Sequence, residues 1–463
     1  MSKVRTEYRK QLLITCVKLL HYALSILLFT VFWMLFRYGT VFPDPQAVGF
    51  RYNYFTIAFY GVMLFFFNRT YNSFLLGYSR IRSLAFAQIL SHLISLTILY
   101  VITSLAWDHF NNPALFLGLL VLDIGLDIVW SYFANSFFFR LYPRKRTLMI
   151  YRNKLDKMRL GSIQGKPSER LYEITDEMMF DGKFSEIRDK LKGYDAVFVA
   201  GVNSRCRNGI LKYCKEENIA GFFLPHVGDV IMQESQHIQS FDSPVLYVTR
   251  SSMKPEYRII KRAFDLTASL LGIIVLSPVM AVTALAIKLY DGGPAIYKQV
   301  RLTRDGKEFK IWKFRSMRVD AEKDGVARLS TGDNDDRITP IGKIVRKCRL
   351  DELPQLFNIL MGDMSVVGPR PERPEIAEQY YQTIPDFKLR LQVKAGLTGY
   401  AQVYGKYNTD PYEKLEFDLL YINNMSILTD LKLIFATIAI LGSSESTTGV
   451  KGTTAMDWED EEG

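Results

Sequence analysis

Residues 346–375 read RKCRLDELPQLFNILMGDMSVVGPRPERPE. This stretch places two adjacent carboxylates, Asp351 and Glu352, directly after a basic run, and it continues into a stiff turn in which Arg370 lies between two prolines. Like charges in contact repel each other, so an adjacent acid pair needs a functional reason. A divalent metal ion or phosphate chemistry would supply such a reason.

The residue types available near this stretch restrict its chemistry. From residue 253 to its end, the chain has no histidine and one cysteine, Cys348. A catalytic nucleophile or base here is therefore expected to be a carboxylate. Adjacent residues face opposite sides of a strand and lie about 100° apart on a helix, so Asp351 and Glu352 can have different tasks. For an isolated Asp-Glu pair, a solvated position at a helix start is the alternative.

The run DELPQLFNILMGDMSVVGPRP closely resembles the bacterial sugar transferases, which move a sugar phosphate from a nucleotide sugar onto a polyprenyl phosphate. The resemblance covers roughly residues 258–441. It implies that Asp351 attacks the β-phosphate of the donor and forms a phosphosugar ester. It also implies that Glu352, together with Asp351, holds Mg²⁺.

The same resemblance assigns further residues to the two phosphate substrates. It implies that Arg370 binds phosphate and that Arg346, five residues before the nucleophile, is a second phosphate ligand. Lys313 and Arg315 lie in KIWKFRSM, which resembles a signature near the family's active site, although a salt bridge or a surface position remains the alternative. Nucleotide-sugar contacts are assigned to Arg301 and Gln402, which belong to two further motifs of this kind.

Composition favours a membrane protein with soluble parts. The chain has 463 residues, 48% hydrophobic and 13% aromatic, with a formal net charge of +10. Basic charge beside long apolar segments indicates a membrane surface and phosphorylated substrates rather than nucleic acid. The four cysteines show no metal-ligand spacing and are expected to be free thiols.

Four apolar segments, 12–36, 54–67, 84–107 and 114–139, predict a four-helix transmembrane bundle over residues 1–143. Lysine and arginine cluster before the first segment, after the second and after the fourth. This distribution predicts that both ends of the bundle lie in the cytoplasm. Asp123 and Asp127 lie one turn apart inside the fourth segment. We expect them to face the bundle and to bond Lys18, His21, His92 or serines; a proton or ion path is the alternative.

Residues 144–252 alternate short apolar runs with amphipathic stretches, which predicts a Rossmann-like α/β middle domain with a parallel sheet. Its first strand continues into YRNKLDK, without the glycine-rich loop that lets a backbone approach a pyrophosphate. A structural or dimerisation role is therefore expected for this domain rather than nucleotide binding.

The catalytic domain is expected over residues 253–443, followed by a disordered acidic tail at 444–463. Its apolar run, 264–289, is long enough to span a bilayer, but basic residues flank it on both sides. The positive-inside rule then favours a re-entrant helix that breaks at Ser277 and Pro278 and returns to the same face. A spanning helix is the alternative. The shorter run 427–441 is expected against the domain or at the interface.

Together these features predict a multi-pass protein of the bacterial inner membrane, built from α and α/β parts, with a monotopic catalytic domain on the cytoplasmic face. The resemblance implies transfer of a hexose-1-phosphate from a UDP-sugar to undecaprenyl phosphate with Mg²⁺, as the first step of capsule, exopolysaccharide or O-antigen repeat synthesis. It also suggests a homodimer. The alternatives are a membrane-anchored nucleotide-sugar oxidoreductase and a non-enzymatic scaffold of an export complex. The particular hexose and the pathway are left open.

Overall fold

The computed structural model contains two compact units, residues 1–224 and 225–463. The structure describes residues 2–36, 50–106, 112–161, 171–233, 235–240, 243–249, 253, 255–318, 321, 337–405 and 410–441. The predicted acidic tail at 444–463 lies outside the described residues.

The first unit begins with four long helices, α1 (Ser2–Phe36), α2 (Phe50–Thr70), α3 (Ile81–Ala106) and α4 (Pro113–Leu141), as the apolar segments predict. Within the described residues, α1, α3 and α4 are long and apolar enough to cross a membrane; α2 has 21 residues but lower apolarity. Side chains from all four helices form one buried cluster: Phe29, Phe32, Trp33, Tyr60, Leu64, Leu96, Leu99, Phe116 and Leu119.

A fully buried polar cluster lies inside this bundle. His21 Nε2 is 2.9 Å from Asp127 Oδ1, and His92 Nδ1 is 3.3 Å from Asp123 Oδ2. The hydroxyl of Tyr60 on α2 lies 2.9 Å from His92 Nδ1. The prediction that both aspartates face the bundle and contact its histidines is confirmed.

The bundle is followed by a four-stranded parallel sheet in the order β2-β1-β3-β4, which confirms the predicted α/β fold with a parallel sheet. The strands are β1 (Lys145–Tyr151), β2 (Tyr172–Met179), β3 (Ala196–Ala200) and β4 (Ala220–Phe223). The helices are α5 (Lys154–Gly161), α6 (Phe184–Ile187) and α7 (Ser204–Glu216), with a 3-10 turn at Arg188–Leu191.

The sheet is apolar on both faces because its side chains alternate along each strand. Leu148 and Ile150 of β1 pack with the α6 and α7 side, whereas Met149 belongs to a cluster with Trp130 and Phe138 of α4. The bundle and the α/β layer therefore share one core. The compact unit that contains both of them ends at Leu224. Their division into separate domains, 1–143 and 144–252, stays a prediction.

The crevice after β1 contains a carboxylate where a dinucleotide fold would place a glycine loop. Asn153 Oδ1 accepts a hydrogen bond of 2.8 Å from Asp156 N at the start of α5. Gly201, just after β3, has a left-handed φ of +66°, and a Cβ there would lie 1.8 Å from Asp156 Oδ2. An acidic side chain at this position disfavours a pyrophosphate. The structural or dimerisation role of this domain stays a prediction.

The second unit begins at Pro225, so the boundary predicted at residue 253 lies inside it. The reason is α8 (Val227–Gln233): Val227 and Val230 are buried in the same core as Leu415 and Leu419. Asn423 Nδ2 also donates a hydrogen bond of 2.6 Å to Val230 O.

The rest of the second unit mixes helices with three two-stranded sheets. The pairs are β5 (Gln236–Ser240) with β6 (Ser243–Tyr247) and β7 (Ile296–Leu302) with β8 (Glu308–Phe314), both antiparallel, and β9 (Ser365–Val367) with β10 (Gly396–Thr398), parallel. The helices are α9 (Pro255–Asp291), α10 (Pro340–Lys347), α11 (Gln355–Met361), α12 (Pro374–Thr383), α13 (Tyr400–Tyr404), α14 (Pro411–Asn423) and α15 (Ile427–Leu441). Further 3-10 turns lie at Arg304–Gly306, Leu350–Glu352 and Pro385–Gln392.

Helix α9 contains the predicted re-entrant segment, is also long and apolar enough to cross a membrane, and continues as one helix through Pro278. Proline lacks the N–H that would bond the carbonyl four residues earlier, which is that of Ile274. Ser277 Oγ donates a hydrogen bond of 2.8 Å to that carbonyl, which proline leaves without its helical partner. Ser277 and Pro278 therefore do not end the helix, and a re-entrant course stays a prediction.

One face of α9 packs on the second unit along the whole helix, while the opposite face is apolar and exposed. The packed residues recur at helical spacing: Lys261, Asp265, Ser269, Met280, Thr283 and Ile287 are buried. The exposed face is aliphatic: Leu266, Leu270, Leu271, Ile274, Val275, Val279, Val282, Leu285 and Leu289.

Polar groups attach both ends of α9 to the unit. Near its start, Lys261 Nζ lies 2.5 Å from Asp430 Oδ2 on α15 and donates a hydrogen bond of 3.1 Å to Val367 O. At its end, Asp291 pairs with Arg315. Helix α15 thus packs against the domain, one of the two positions expected for the 427–441 run.

Candidate active site

The acid pair lies on the 3-10 turn Leu350–Glu352, between α10 and α11. Thr339 caps α10, its side chain accepting a hydrogen bond from Gly342 N at 2.9 Å, and Pro340 opens the helix. The chain then turns sharply at Arg349, whose φ of 54° is left-handed. A non-glycine residue adopts this conformation at a cost of about 1 kcal/mol, and such residues cluster at functional sites.

Glu352 is surrounded by cations. Arg370 Nη2 donates a hydrogen bond of 2.9 Å to Glu352 Oε1, while Lys313 Nζ and Arg349 Nη1 lie 3.8 and 3.9 Å from the same oxygen. Burial alone would raise the pKa of Glu352, but Arg370, Lys313 and Arg349 outweigh it and lower the pKa to about 2. Glu352 is therefore ionised throughout the physiological pH range.

The pKa of Asp351 is shifted in the opposite direction from that of Glu352. Burial and the neighbouring charge of Glu352 raise the pKa of Asp351 to about 6, against the lowering effect of Lys313, Arg346 and Arg370. Its Oδ1 is buried and makes no hydrogen bond within the described part of the chain. At neutral pH Asp351 is thus an ionised carboxylate with one oxygen free to react or to bind a ligand.

The cations of the site come from separate elements. Lys313 belongs to β8, and burial lowers its pKa to about 8, against the raising effect of Glu352. Asn358 of α11 fixes this strand, because its Oδ1 accepts from Trp312 N and its Nδ2 donates to Lys310 O, both at 2.9 Å. The strand that carries Lys313 is therefore tied to the helix that follows the acid pair.

The predicted phosphate ligands do not all meet at the acid pair. Arg370 and Lys313 contact Glu352, and Arg346 is close enough to influence the pKa of Asp351. Arg315 pairs instead with Asp291 at the end of α9, which corresponds to the salt-bridge alternative.

The two predicted nucleotide-sugar ligands lie beside the turn that contains Arg370. Arg301 Nη1 donates a hydrogen bond of 3.2 Å to Pro371 O, and its Nη2 donates one of 2.7 Å to Gln299 Oε1. Both amide atoms of Gln402 are buried and without a hydrogen bond in the described residues. A Cβ at Gly399 would lie 2.8 Å from Gln402 Oε1 and 2.3 Å from Gly368 O.

The site also fits a magnesium ion. Within the described ranges, no group of three or more His, Cys, Asp or Glu side chains could hold a metal. Magnesium, however, is typically bound through one or two carboxylates together with substrate phosphates and water. Asp351, with its free buried oxygen, and the ionised Glu352 match that requirement.

The family profile described as bacterial sugar transferase matches residues 256–443, which include every site residue above. An exopolysaccharide production protein of Rhizobium leguminosarum bv. phaseoli is 42% identical over 189 residues, which cover 39% of this chain and 94% of the relative. The chain belongs to the bacterial sugar transferase family.

Larger relatives in this family are similar as well. A UDP-glucose:undecaprenyl-phosphate glucose-1-phosphate transferase of Klebsiella pneumoniae is 38% identical over 270 residues, covering 56% of this chain and 57% of the relative. A UDP-N-acetylgalactosamine-undecaprenyl-phosphate N-acetylgalactosaminephosphotransferase of Aeromonas hydrophila is 42% identical over 187 residues, covering 40% of this chain and 44% of the relative. The chain therefore spans about half the length of these two relatives.

Several residues that shape this sugar transferase site were missed by sequence reasoning. Arg349 contacts Glu352, Asn358 contacts β8 and Arg390 contacts the Arg370 turn, while Asp418 binds Arg390. None of the four was assigned to the site from sequence. A signal existed for Asp418, an acid inside the apolar run FDLLY, because a buried charge requires a partner.

Proposed function

We propose that the protein transfers a hexose-1-phosphate from a UDP-sugar to undecaprenyl phosphate through a covalent ester on Asp351. The observation that carries the proposal is the acid pair itself, one carboxylate with a raised pKa and a free oxygen beside a second that is ionised and bound to cations. The names of the relatives, which include undecaprenyl-phosphate glucose-1-phosphate transferase, support the choice of substrates.

In the first step, a carboxylate oxygen of Asp351 attacks the β-phosphorus of the UDP-sugar. An O–P bond forms to Asp351, the bond from that phosphorus to the bridging oxygen breaks, and UMP leaves. In the second step, an oxygen of undecaprenyl phosphate attacks the same phosphorus, which releases Asp351 as a carboxylate and yields the lipid diphosphate sugar. Neither step requires a proton from the protein, so Asp351 must only be ionised.

The cations around the pair have a clear task in this scheme. Arg370 and Lys313 lie on the Glu352 side of the site, where they can neutralise negative charge that accumulates on the transferring phosphoryl group. A magnesium ion held by Asp351 and Glu352 would neutralise the diphosphate of the donor. Arg346 would contribute positive charge on the Asp351 side.

Helix α9 supports the proposed membrane placement of the site. Its packed face contacts the same unit before and after Pro278, from Lys261 to Asp291, while its other face is aliphatic and exposed. A straight spanning helix would carry one end across the bilayer, away from a unit on one side. We infer a monotopic, re-entrant attachment with the acid pair on the cytoplasmic face, where UDP-sugars are made. A homodimer remains a prediction.

The covalent step can be tested with Asp351→Asn, which changes charge with little change in shape. Wild-type protein incubated with a UDP-sugar should gain the mass of one hexose phosphate and release one equivalent of UMP before any lipid is added. Asp351→Asn should show neither, while the exposed control Asp386→Asn should behave as the wild type. Turnover by Asp351→Asn at the wild-type rate would contradict the proposal.

The sugar itself requires a direct assay, because the relatives differ in it: one name specifies glucose and another N-acetylgalactosamine. A panel of radiolabelled UDP-sugars with undecaprenyl phosphate, followed by lipid extraction, would show both the activity and the preferred donor. Absence of labelled lipid with every donor would reject the proposed function.

A further inference from the structure

The turn that contains Arg370 is held in place by hydrogen bonds that its backbone carbonyl groups accept. Pro369 and Pro371 have no N–H, so the segment cannot complete a regular sheet or helix. Four consecutive carbonyls each accept a hydrogen bond from elsewhere: Pro369 O from Gly396 N at 2.8 Å, Arg370 O from Arg390 Nη2 at 2.8 Å, Pro371 O from Arg301 Nη1 at 3.2 Å and Glu372 O from Leu302 N at 3.0 Å. Two of these four donors are guanidinium groups.

Arg390 is the more buried of the two, with 3% of its surface exposed. Its Nη2 lies 2.7 Å from Asp418 Oδ2 and, with its other hydrogen, donates to Arg370 O. Its Nε donates a second hydrogen bond to Asp418 Oδ2 at 2.8 Å, and its Nη1 is 3.6 Å from Glu372 Oε1. The guanidinium thus joins α14, through Asp418, to the backbone of the residue whose side chain binds Glu352.

A purely stabilising role accounts poorly for this arrangement. Removing two charges from water costs about as much free energy as their attraction returns, and well-packed apolar side chains often replace a buried ion pair without loss of stability. What apolar side chains cannot replace is a donor aimed at one particular carbonyl. The bond from Arg390 to Arg370 O is such a donor, and it lies one residue from each proline of the turn.

We propose that Arg390, oriented by Asp418, is a positioning residue that fixes the backbone of Arg370 and so keeps the Arg370 guanidinium on Glu352. The inference rests on the proposed sugar-phosphate transfer, because it assigns Arg390 a part in that reaction without contact to substrate. Arg301 supports the neighbouring carbonyl in the same way, which gives it a structural task next to its predicted contact with the nucleotide sugar.

The decisive variant replaces the pair by apolar residues, Arg390→Met with Asp418→Leu, in the full-length protein in detergent. Glu372 keeps Lys414 and Arg301 nearby in this variant. We expect a thermal unfolding midpoint close to that of the wild type, kcat lower by about 10- to 100-fold because a small misplacement of a catalytic group has such an effect, and an almost unchanged KM for the UDP-sugar. Amide hydrogen exchange in the peptide that spans 365–373 should become faster.

Two single variants keep the test decisive if the apolar pair does not fold. Arg390→Lys retains a positive charge for Asp418 but lacks the planar group that reaches Arg370 O at the same time. Arg390→Lys should have a lower kcat and faster amide hydrogen exchange at the turn. Asp418→Asn, which keeps Arg390, should show a smaller change in both. Wild-type kcat and wild-type exchange in a folded apolar-pair or Arg390→Lys protein would overturn the proposal. An inactive wild type would instead reject the proposed function, and the exchange measurement would still decide whether Arg390 holds the turn.

Discussion

Lys313 gives a direct test of the electrostatics of the acid pair. Its ammonium lies 3.8 Å from Glu352 Oε1. Burial and Glu352 raise the pKa of Asp351, and Lys313 has the largest effect among the charges that lower it. Lys313→Met keeps the length and the apolar stem of the side chain but removes the charge. The pKa of Asp351 should therefore rise, and the acid limb of the pH–rate profile should move to higher pH.

The size of this effect follows from the wild-type pKa of about 6 for Asp351. Removing one nearby opposite charge raises a carboxyl pKa by about 1, which predicts about 7 for the variant. At pH 6 about half of the wild-type Asp351 is ionised but only about a tenth in the variant, whereas at pH 7 about nine-tenths and about half are ionised. The activity of the variant relative to the wild type should thus fall about threefold between pH 7 and pH 6.

The assay is kcat/KM for UMP release over about pH 5 to 9, which reports the ionisation of groups in the free enzyme. Because the pKa of Lys313 is about 8, Lys313 is mostly charged in the wild type below about pH 7. In that range a weaker hold on phosphate lowers the activity of Lys313→Met by nearly the same factor at each pH, so it does not imitate a displaced limb. Lys310→Met is the matched control, because Lys310 is exposed on the same strand. An acid limb at the wild-type position in Lys313→Met would refute the electrostatic reasoning.

Two further predictions concern the membrane helix and the unit boundary. Ser277→Ala should destabilise the protein by about 1–3 kcal/mol, because the carbonyl that proline leaves unbonded loses the Ser277 hydroxyl as donor. The control Thr267→Ala, whose hydroxyl bonds the Ala263 carbonyl in an uninterrupted part of the helix, should have less than half that effect in thermal unfolding. A chain that begins at residue 225 should unfold at higher urea concentration than one that begins at residue 254. The expected difference in the free energy of unfolding is about 3–6 kcal/mol, for two buried valines. Equal effects of the two hydroxyl deletions, or equal stability of the two chains, would contradict these predictions.

Local patterns predicted the four long N-terminal helices and the family well. Apolar segments long enough to cross a bilayer carry their own signal, and DELPQLFNILMGDMSVVGPRP is specific over its whole length. Partners distant in sequence were not predictable. Arg315 was assigned to phosphate because nothing in KIWKFRSM indicates Asp291, 24 residues earlier. The Arg390 and Asp418 pair joins two elements 28 residues apart, with no periodicity to connect them.

The ends of the compact units also depend on contacts between residues that are distant in sequence. The basic, polar stretch around residue 253 has the composition of a linker, and composition reports only local preference. Val227 and Val230 join the core of the second unit through contacts with α14, which lies far along the chain. Likewise, no residue in RKCRL predicts the left-handed conformation of Arg349, because the surrounding structure imposes it.

The link between Lys261 and Asp430 has a consequence for biosynthesis. The two residues are 169 positions apart, so α9 leaves the ribosome long before its partner on α15 exists. The aliphatic face of α9 can enter the bilayer at once, whereas Lys261 lacks its carboxylate until α15 has been synthesised. Attachment of α9 to the membrane can therefore precede its contact with α15, which then packs onto a helix already in place. A nascent chain released before Asp430 would present Lys261 without its carboxylate partner.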